Sequence, residues 1–473
     1  MEERKGIIDE KRQDVVIVGA GMAGLVAAIE GAATGVKITV LDKLGYMPGQ
    51  EAGAIPTEGI INETSLAWGG SLDGFSLDAP IEELLGQVVE RGWGRIDTDL
   101  IRAYLERLAG DCKWLRDDLG LPYKGPVVKG RGPALFSFLH GVAERRDVNI
   151  FFETKALKLL TNEVGRVTGV RARAGNGITD FKARAVILAT GGFEGNNEMM
   201  IKYVGPEITY GTVLAGCPTN TGDGHLMASK IGAQLININV CHMRSTDRIT
   251  GRDPSRSLRN IHPMGIYVNQ DCKRFVDEGT ADSDTIGNTI TLQPGHRATL
   301  IFDEKARAKY PEEYETYPRK EEAIKVAGNI EELASQIEVS PEGLKKLIEE
   351  FNDAVRDGEA LELPFPKTAK AYRIDTPPFY AIHPVICWLH HPLGGLKIST
   401  EAKVLDRDNN PIPGLYAAGS LVNWSFGKSY TVAGVKSFMG TYHAGALAGL
   451  PTALVFGRIA GKGAAEEALG SQS

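Results

Sequence analysis

The residues Gly19-Ala20-Gly21-Met22-Ala23-Gly24 place glycine at the first, third and sixth positions, and Asp42 follows eighteen residues after Gly24. A glycine at the first position permits a tight turn, and one at the third lets backbone approach a pyrophosphate. The third glycine lets a helix pack closely on a strand. The helix N-terminus carries about half a positive charge, which then faces the phosphates. Asp42 can accept both ribose hydroxyls, and Ala23 and Lys43 flank the same turn. This is the chemistry of a dinucleotide site.

The elements such a site needs are present. Val15-Val16-Ile17-Val18 reads as a short buried strand, residues 25–34 as a small, apolar helix, and residues 37–41 as a second strand. Residues 181–189 predict a further strand, closing in Thr190-Gly191-Gly192-Phe193. Residues 331–357 are helical in pattern, with Ser340-Pro341-Glu342 as a helix start. Proline and aromatic residues crowd 364–384, as in a crossing between domains. The α/β character returns at Gly414-Leu415-Tyr416-Ala417-Ala418-Gly419, followed by a predicted helix over 434–449 and a small, polar tail after Ala464 expected to fray. The expected organisation is discontinuous: 1–235 and 372–473 form one α/β domain, and 236–371 a second.

Composition bounds the function. The 473 residues are 42% hydrophobic and 24% charged, as in an ordinary globular protein, and 56 glycines imply many tight turns. A net charge of −7 offers no basic field for nucleic acid or anionic membrane. The longest apolar run, residues 15–29, falls short of the roughly 18 residues that span a bilayer. Acidic residues before it, Glu2, Glu3, Asp9, Glu10 and Asp14, argue against a signal peptide. Cys112, Cys217, Cys241, Cys272 and Cys387 are scattered, without the spacing of an iron–sulfur, haem or zinc site. No metal is expected. Free thiols fit a reducing, cytoplasmic setting.

Four segments decide which dinucleotide. Thr64-Ser65-Leu66-Ala67-Trp68-Gly69-Gly70-Ser71, Thr190-Gly191-Gly192-Phe193 with Thr221-Gly222-Asp223-Gly224, Gly414 to Gly419, and Gly265 to Glu278 with its Arg274-Phe275-x-x-Glu278 ending occur in that family's order. Together they resemble the FAD-dependent fumarate reductase and succinate dehydrogenase flavoproteins. The resemblance implies FAD, held by Ser65, Trp68, Gly69, Gly70, Thr190, Gly191, Gly192, Asp223, Gly419 and Ser420 beside the residues already named. Glu63 stands where the respiratory members carry the histidine linked to FAD, so noncovalent FAD is expected. Ser420 replaces a frequent glutamate. A single dinucleotide fingerprint leaves no recognisable NAD(P)H site, so electrons are expected to pass through an unidentified donor or acceptor. Oligomeric state is not legible.

The family also implies a substrate site, with two histidines and an arginine clamping carboxylates and a second arginine delivering a proton. His242 and His390 fall at the histidine positions, and Arg259 near one arginine. Asp282 and Tyr430 stand where two other family arginines would fall, which is unlike a true fumarate reductase. Tyr430 resembles instead the tricarballylate dehydrogenase and 3-ketosteroid dehydrogenase branch, with Lys428 close by in sequence. Tyr430 or His390 is therefore the expected acid/base, and His242, Arg259 and Lys428 candidates for holding an activating group. Trp388, Tyr380 and Trp424 are candidate pocket residues, and Tyr442 and His443 fit packing or flavin-side roles.

The expected fold is a glutathione-reductase-type Rossmann FAD domain interrupted by an α+β capping domain. The expected reaction is desaturation or ene reduction of a CH–CH bond next to a carbonyl or carboxylate of a small molecule, by hydride exchange with flavin N5. Oxidation of a C–OH or C–N bond is the alternative, because hydride transfer there uses the same cofactor. A flavin-bearing scaffold without turnover is a third reading.

Overall fold

The computed structural model describes residues 9–45, 80–82, 85–86, 96–121, 123–124, 127–128, 131–422 and 449–470. These form two compact units. One contains the residues up to Met199, Gly216–Cys241 and those from His391 onward; the other contains Met200–Ala215 and His242–His390. The second boundary thus falls later than the 371/372 crossing read from the sequence. The cause is the long strand Phe379–Pro392, which pairs with the strands of the second unit along most of its length.

The first unit is built on a six-stranded sheet in the order Lys403–Leu405, Pro411–Ala417, Ala185–Leu188, Val15–Val18, Ile38–Leu41 and Asn149–Phe151. All but the first pairing are parallel. Val15–Val18, Ile38–Leu41 and Ala185–Leu188 are buried throughout, which explains why they read as continuous apolar runs rather than alternating ones. The strand expected over 181–189 is in fact two. Gly177–Lys182 pairs with Val167–Ala174 in a separate four-stranded sheet, and Ala185–Leu188 enters the large one. Both ends are apolar, so periodicity alone could not show the chain changing sheets.

The helix Met22–Ala32 packs on the helix Leu450–Gly470 almost backbone to backbone. A Cβ on Gly457 would lie 2.8 Å from the Ala23 carbonyl oxygen, and one on Gly461 2.3 Å from that of Ala27. This seam explains why both helices are rich in alanine and glycine. The tail expected to fray after Ala464 is instead part of the second helix, with Ala464, Ala465 and Ala468 fully buried. Glu467 there accepts the Tyr416 hydroxyl at 2.6 Å and pairs with Arg166 at 2.8 Å.

In the second unit, Phe379–Pro392 is flanked by Thr212–Leu214 and Ala298–Asp303, which in turn pairs with Ile266–Val268. Cys241–Asp247 and Ile324–Ala327 also pair with the long strand. The helical stretch expected over 331–357 is two helices, Ile330–Gln336 and Pro341–Ala354. Ser340 caps the second, accepting from Gly343 N at 3.1 Å with Pro341 in the first turn.

Gly461→Val should cost about 1–3 kcal/mol by overpacking the helix seam. Gly110→Ala should instead stabilise by up to about 1 kcal/mol, since Gly110 lies inside Thr98–Lys113 and an added Cβ meets nothing within 4 Å. Thermal melts of the two variants should move in opposite directions.

Candidate active site

The cradle of the first unit begins at Gly19, whose φ of +108° and 2.2 Å clearance from the Ala189 carbonyl oxygen exclude any side chain. A Cβ on Gly24 would stand 1.9 Å from the Gly19 carbonyl oxygen, so the turn closes directly on the helix. Gly21 is different: among the described residues an added Cβ there would meet nothing within 4 Å. The helix Met22–Ala32 starts at Gly21 with no side-chain cap and no acid in its first turn. Among the described residues no side chain caps its leading N–H groups, the donor set a pyrophosphate requires.

Asp42 is tied to this turn. Its Oδ2 accepts from Ala20 N at 2.7 Å and its Oδ1 from Leu44 N at 2.8 Å. Burial raises its pKa, against the lowering effect of these bonds and of Lys43. A carboxylate has roughly four acceptor positions, so two remain for ribose hydroxyls. Lys43 turns elsewhere, donating to Thr221 Oγ1 at 2.7 Å and Asp223 Oδ2 at 2.6 Å. Burial alone would raise the Asp223 carboxyl, but Lys43, Thr221 and Lys155 hold it below the ordinary range. Lys43 and Asp223 thus fasten the turn after Ile38–Leu41 to the Thr221–Gly224 turn.

Thr190 carries a buried hydroxyl without a hydrogen-bond partner among the described residues. An added Cβ on Gly224 would press it at 2.4 Å, so Gly224 makes room for that hydroxyl. Gly191 has φ +73°, and Cβ atoms on Gly191 and Gly192 would strike Asn220 at 2.4 Å and Glu194 at 2.3 Å. Gly419 (φ +80°) and Ser420 lie on the short turn Gly419–Leu421, where a Cβ on Gly419 would sit 3.0 Å from that of Ala23. An open Gly21 cradle, uncapped helix amides, an anchored acid and an orphaned hydroxyl together fit FAD.

Glu194 was not read from the sequence as a site residue. It is buried, accepts from Asn220 Nδ2 at 2.7 Å and from Cys217 N at 3.3 Å, and its Oε2 has no partner among the described residues. Burial pushes its carboxyl up to about 7. His225 is also buried, and desolvation lowers it to about 4, so its ring is neutral at pH 7.

The second unit carries a separate polar cluster. His242, on Cys241–Asp247, and His390, on Phe379–Pro392, stack with ring centroids 4.7 Å apart and planes 21° apart. Arg244 Nε donates to His242 Nε2 at 3.1 Å, and Asp284 Oδ1 lies 3.4 Å from the same nitrogen. Burial raises Asp284 to about 7. Arg256 is lowered to about 10 by burial and then by Arg244, while Asp253, Asp284 and Asp282 oppose the shift. Arg244, Arg256 and Asp284 were not singled out from the sequence. One signal was available: His242 and Arg244 stand two apart on a strand and so share a face.

Arg259 lies outside this cluster. Its side chain is 67% exposed and stands 3.9 Å from Glu313. Asp282 caps the helix Ser283–Ile290, accepting from Thr285 N at 2.8 Å. Tyr380 belongs to the core, stacked on Phe302 at 5.2 Å and donating its hydroxyl to Glu304 at 2.6 Å. Trp388 lies over Gly251, where a Cβ would meet its ring at 2.9 Å. The Arg274-Phe275-x-x-Glu278 motif forms a buried brace. Arg274 pairs with Glu278 at 2.5 Å, Glu278 accepts Tyr267 N at 2.8 Å, and Lys367 donates to the Gly265 carbonyl at 2.5 Å. Glu63, Ser65, Trp68, Gly69, Gly70, Trp424, Lys428, Tyr430, Tyr442, His443 and residues 434–448 lie outside the described residues.

Among the described residues no helix is long and apolar enough to cross a membrane, and no group of three or more His, Cys, Asp or Glu side chains could hold a metal. All five cysteines are buried, and no disulfide joins any of them.

Comparison with known proteins gives a consistent result. The model of the FAD_binding_2 family, described as an FAD binding domain, matches residues 14–134 and 126–436. A urocanate reductase of Eggerthella lenta is 31% identical over 96% of this chain and 74% of its own length. The open conformation of a flavocytochrome c3 fumarate reductase matches with a TM-score of 0.70 and 25% identity, over 97% of this chain and 79% of that one. A 3-ketosteroid-Δ4-(5α)-dehydrogenase from Rhodococcus jostii RHA1 shares the fold, with a TM-score of 0.71 and 23% identity over 98% of both chains.

Two outcomes test the cradle. Asp42→Ala frees Ala20 N and removes the ribose acceptor, so flavin retained after gel filtration should fall about 10- to 100-fold, matching a loss of roughly 1.5–3 kcal/mol. Glu194 is protonated up to about pH 7 when folded, but ionises near 4.5 when unfolded. Its burial therefore costs nothing below the unfolded value and destabilises increasingly as pH rises from there to about 7. Glu194→Gln should leave stability unchanged near pH 4.5 and raise it above pH 7 by up to about 3 kcal/mol. Denaturant melts at the two pH values measure the difference.

Proposed function

We propose a function from one premise: the chain belongs to the FAD binding domain family of the fumarate reductase type. It is a flavin-dependent oxidoreductase of a CH–CH bond beside a carbonyl or carboxylate. When bound, FAD supplies two-electron hydride exchange through N5. Gly19, Gly21, Gly24 and the first amides of Met22–Ala32 would hold its pyrophosphate, Asp42 a ribose, and Thr190 a further polar atom.

The observation that carries the substrate reading is the stacked pair His242 and His390, with Arg244, Arg256 and Asp284 around it. Donors and cations gathered in a partly buried cluster stabilise negative charge on an activating oxygen better than water does. Arg244 donates to His242 Nε2, which fixes that nitrogen as an acceptor and leaves the ring hydrogen on Nδ1. His242 then holds the oxygen as a neutral donor. His390, or Tyr430, moves the proton at the carbon beside it, and Lys428 assists in holding the activating group.

Relatives named for urocanate, for fumarate and for 3-ketosteroids share an alkene conjugated to a carbonyl or carboxyl group. This supports an enone or enoate as the substrate class for this chain. Glu63 at the family's linkage position supports binding of FAD without a covalent link. A cytoplasmic location fits five buried cysteines that form no disulfide. The electron donor or acceptor is proposed to be a separate molecule.

The test is reoxidation of the reduced holoenzyme by enones and enoates, followed in stopped flow. Tyr430→Phe should keep FAD but slow this step about 10²- to 10⁴-fold if the phenol moves the proton. A change below about threefold, with His390→Ala showing the larger loss, assigns the step to His390. Neither variant slowing it would refute both assignments.

A further inference from the structure

We propose that Arg244 is a positioning residue that keeps His242 neutral at every working pH: its Nε–H occupies the one lone pair of the ring, so His242 serves as an Nδ1–H donor and takes no part in proton transfer. The inference rests on the reading of His242 as the holder of the activating oxygen.

The bond is built into the strand. Along Cys241–Asp247, Cys241 and Met243 are buried, while His242 and Arg244 alternate with them on the other face. From there Arg244 Nε reaches back to His242 Nε2 at 3.1 Å. Both ends of the pair are held. His390 stacks on His242 with ring planes 21° apart, which sets the plane of the ring. The helix Ser283–Ile290 presses on the backbone of Arg244: an added Cβ on Gly287 would lie 2.6 Å from the Arg244 carbonyl carbon and 2.8 Å from Ser245 N. Only glycine lets the helix approach this closely, and the approach fixes where the Arg244 side chain starts.

The charged and titratable groups around the ring come from four places. Arg244 shares its strand, and His390 and the Cys387 thiol come from Phe379–Pro392. Asp284 lies on Ser283–Ile290 with Asp282 at its cap, and Arg256 and Asp253 belong to the turn around Pro254–Ser257. Among the described residues the acid closest to the ring is Asp284, with Oδ1 3.4 Å from Nε2. It could favour an imidazolium only as a carboxylate. That oxygen makes no hydrogen bond to any described residue, and burial raises the carboxyl to about 7, so its support for a cation fades as pH falls toward the range where a histidine takes up a proton.

A neutral imidazole has one acceptor nitrogen, and here a guanidinium that never gives up its proton bonds to it. Protonating Nε2 would break that bond and set N–H against N–H. It would also place a second cation beside Arg244, with Arg256 near enough to act on Arg244 already. A hydrogen bond to the neutral form and a like charge both weaken a histidine's hold on a second proton. The ring therefore keeps a single hydrogen, on Nδ1, and presents it without gaining or losing charge. A donor of constant protonation polarises the activating oxygen equally well across neutral pH. The proton that moves in the reaction belongs to another group.

The experiment uses FAD-loaded protein labelled with ¹⁵N-histidine, titrated by NMR without substrate. His242 should carry hydrogen on Nδ1 and none on Nε2, with no protonation step above about pH 5, against an ordinary histidine value of about 6.5. Arg244→Met keeps similar reach but removes the donor, and a protonation step should then appear at about pH 6.5 or above. Reoxidation of its reduced flavin by crotonate or 2-cyclohexenone should acquire the same pH dependence. Arg244→Gln puts an amide N–H where Nε stood and should restore the wild-type tautomer. Should Arg244→Met fail to fold, the wild-type titration and Arg244→Gln decide. Hydrogen on Nε2 in the wild-type protein, or a His242 step near the ordinary value, overturns the proposal. So does an Arg244→Met protein that melts lower yet keeps the His242 tautomer and midpoint, as a purely structural arginine would allow. A ring that titrates in a protein still reducing enones or enoates overturns this inference alone. A locked ring in a protein that reduces neither overturns the reading of the site, and this role with it.

Discussion

The structure depends on a turn that tolerates no side chain at two of its glycines. Gly19 bends against the Ala189 carbonyl, and Gly24 closes on the Gly19 carbonyl at a distance only a hydrogen atom can occupy. This contact aims the first amides of Met22–Ala32 at open space beside Gly21, and it presents Ala20 N to Asp42. The same helix then needs a partner without bulk on its far side, which Gly457 and Gly461 supply. Cradle and helix seam are thus one constraint: backbone must meet backbone at both faces of a single helix.

The second unit solves a different problem. It gathers two arginines, two histidines and three aspartates close together, most of them partly buried, an arrangement that would be costly if a buried charge lacked a partner. A quieter version occurs at Arg274, Glu278 and Lys367, where every partner is protein and the ions brace the fold. The contrast separates roles. In the brace the pairing is closed, with Arg274 doubly bonded to Glu278 and Lys367 capping the Gly265 carbonyl. In the histidine cluster Asp284 approaches a single nitrogen at 3.4 Å, and burial raises its carboxyl to about 7.

Much of the first unit was legible because its requirements are local. The residues of Gly19 to Gly24 and Asp42 form consecutive strand, turn and helix, so spacing alone implies the geometry. Legibility failed where tertiary pairing decides. The 181–189 run spans two sheets, and the tail after Ala464 is a helix because Leu450–Gly470 finds small-residue packing that composition does not announce. Family position drew attention to Arg259 and Asp282, yet the former faces Glu313 and the latter caps a helix. Arg244, Arg256 and Asp284 converge from a strand, a single helical turn and a helix start that are separate along the chain, so spacing alone does not bring them together. Lys428 and Tyr430 fall outside the described residues, so their part rests on sequence.

The most direct measurement is anaerobic absorbance of the purified flavoprotein. The oxidised protein would be mixed with saturated ketones and acids, and the dithionite-reduced protein with crotonate, cinnamate and 2-cyclohexenone. The account predicts return of the oxidised flavin spectrum with one of the unsaturated compounds, and formation of one equivalent of its saturated product. Flavin that is bound but answers none of them, while bleaching with alcohols or amines and releasing peroxide in air, would contradict it.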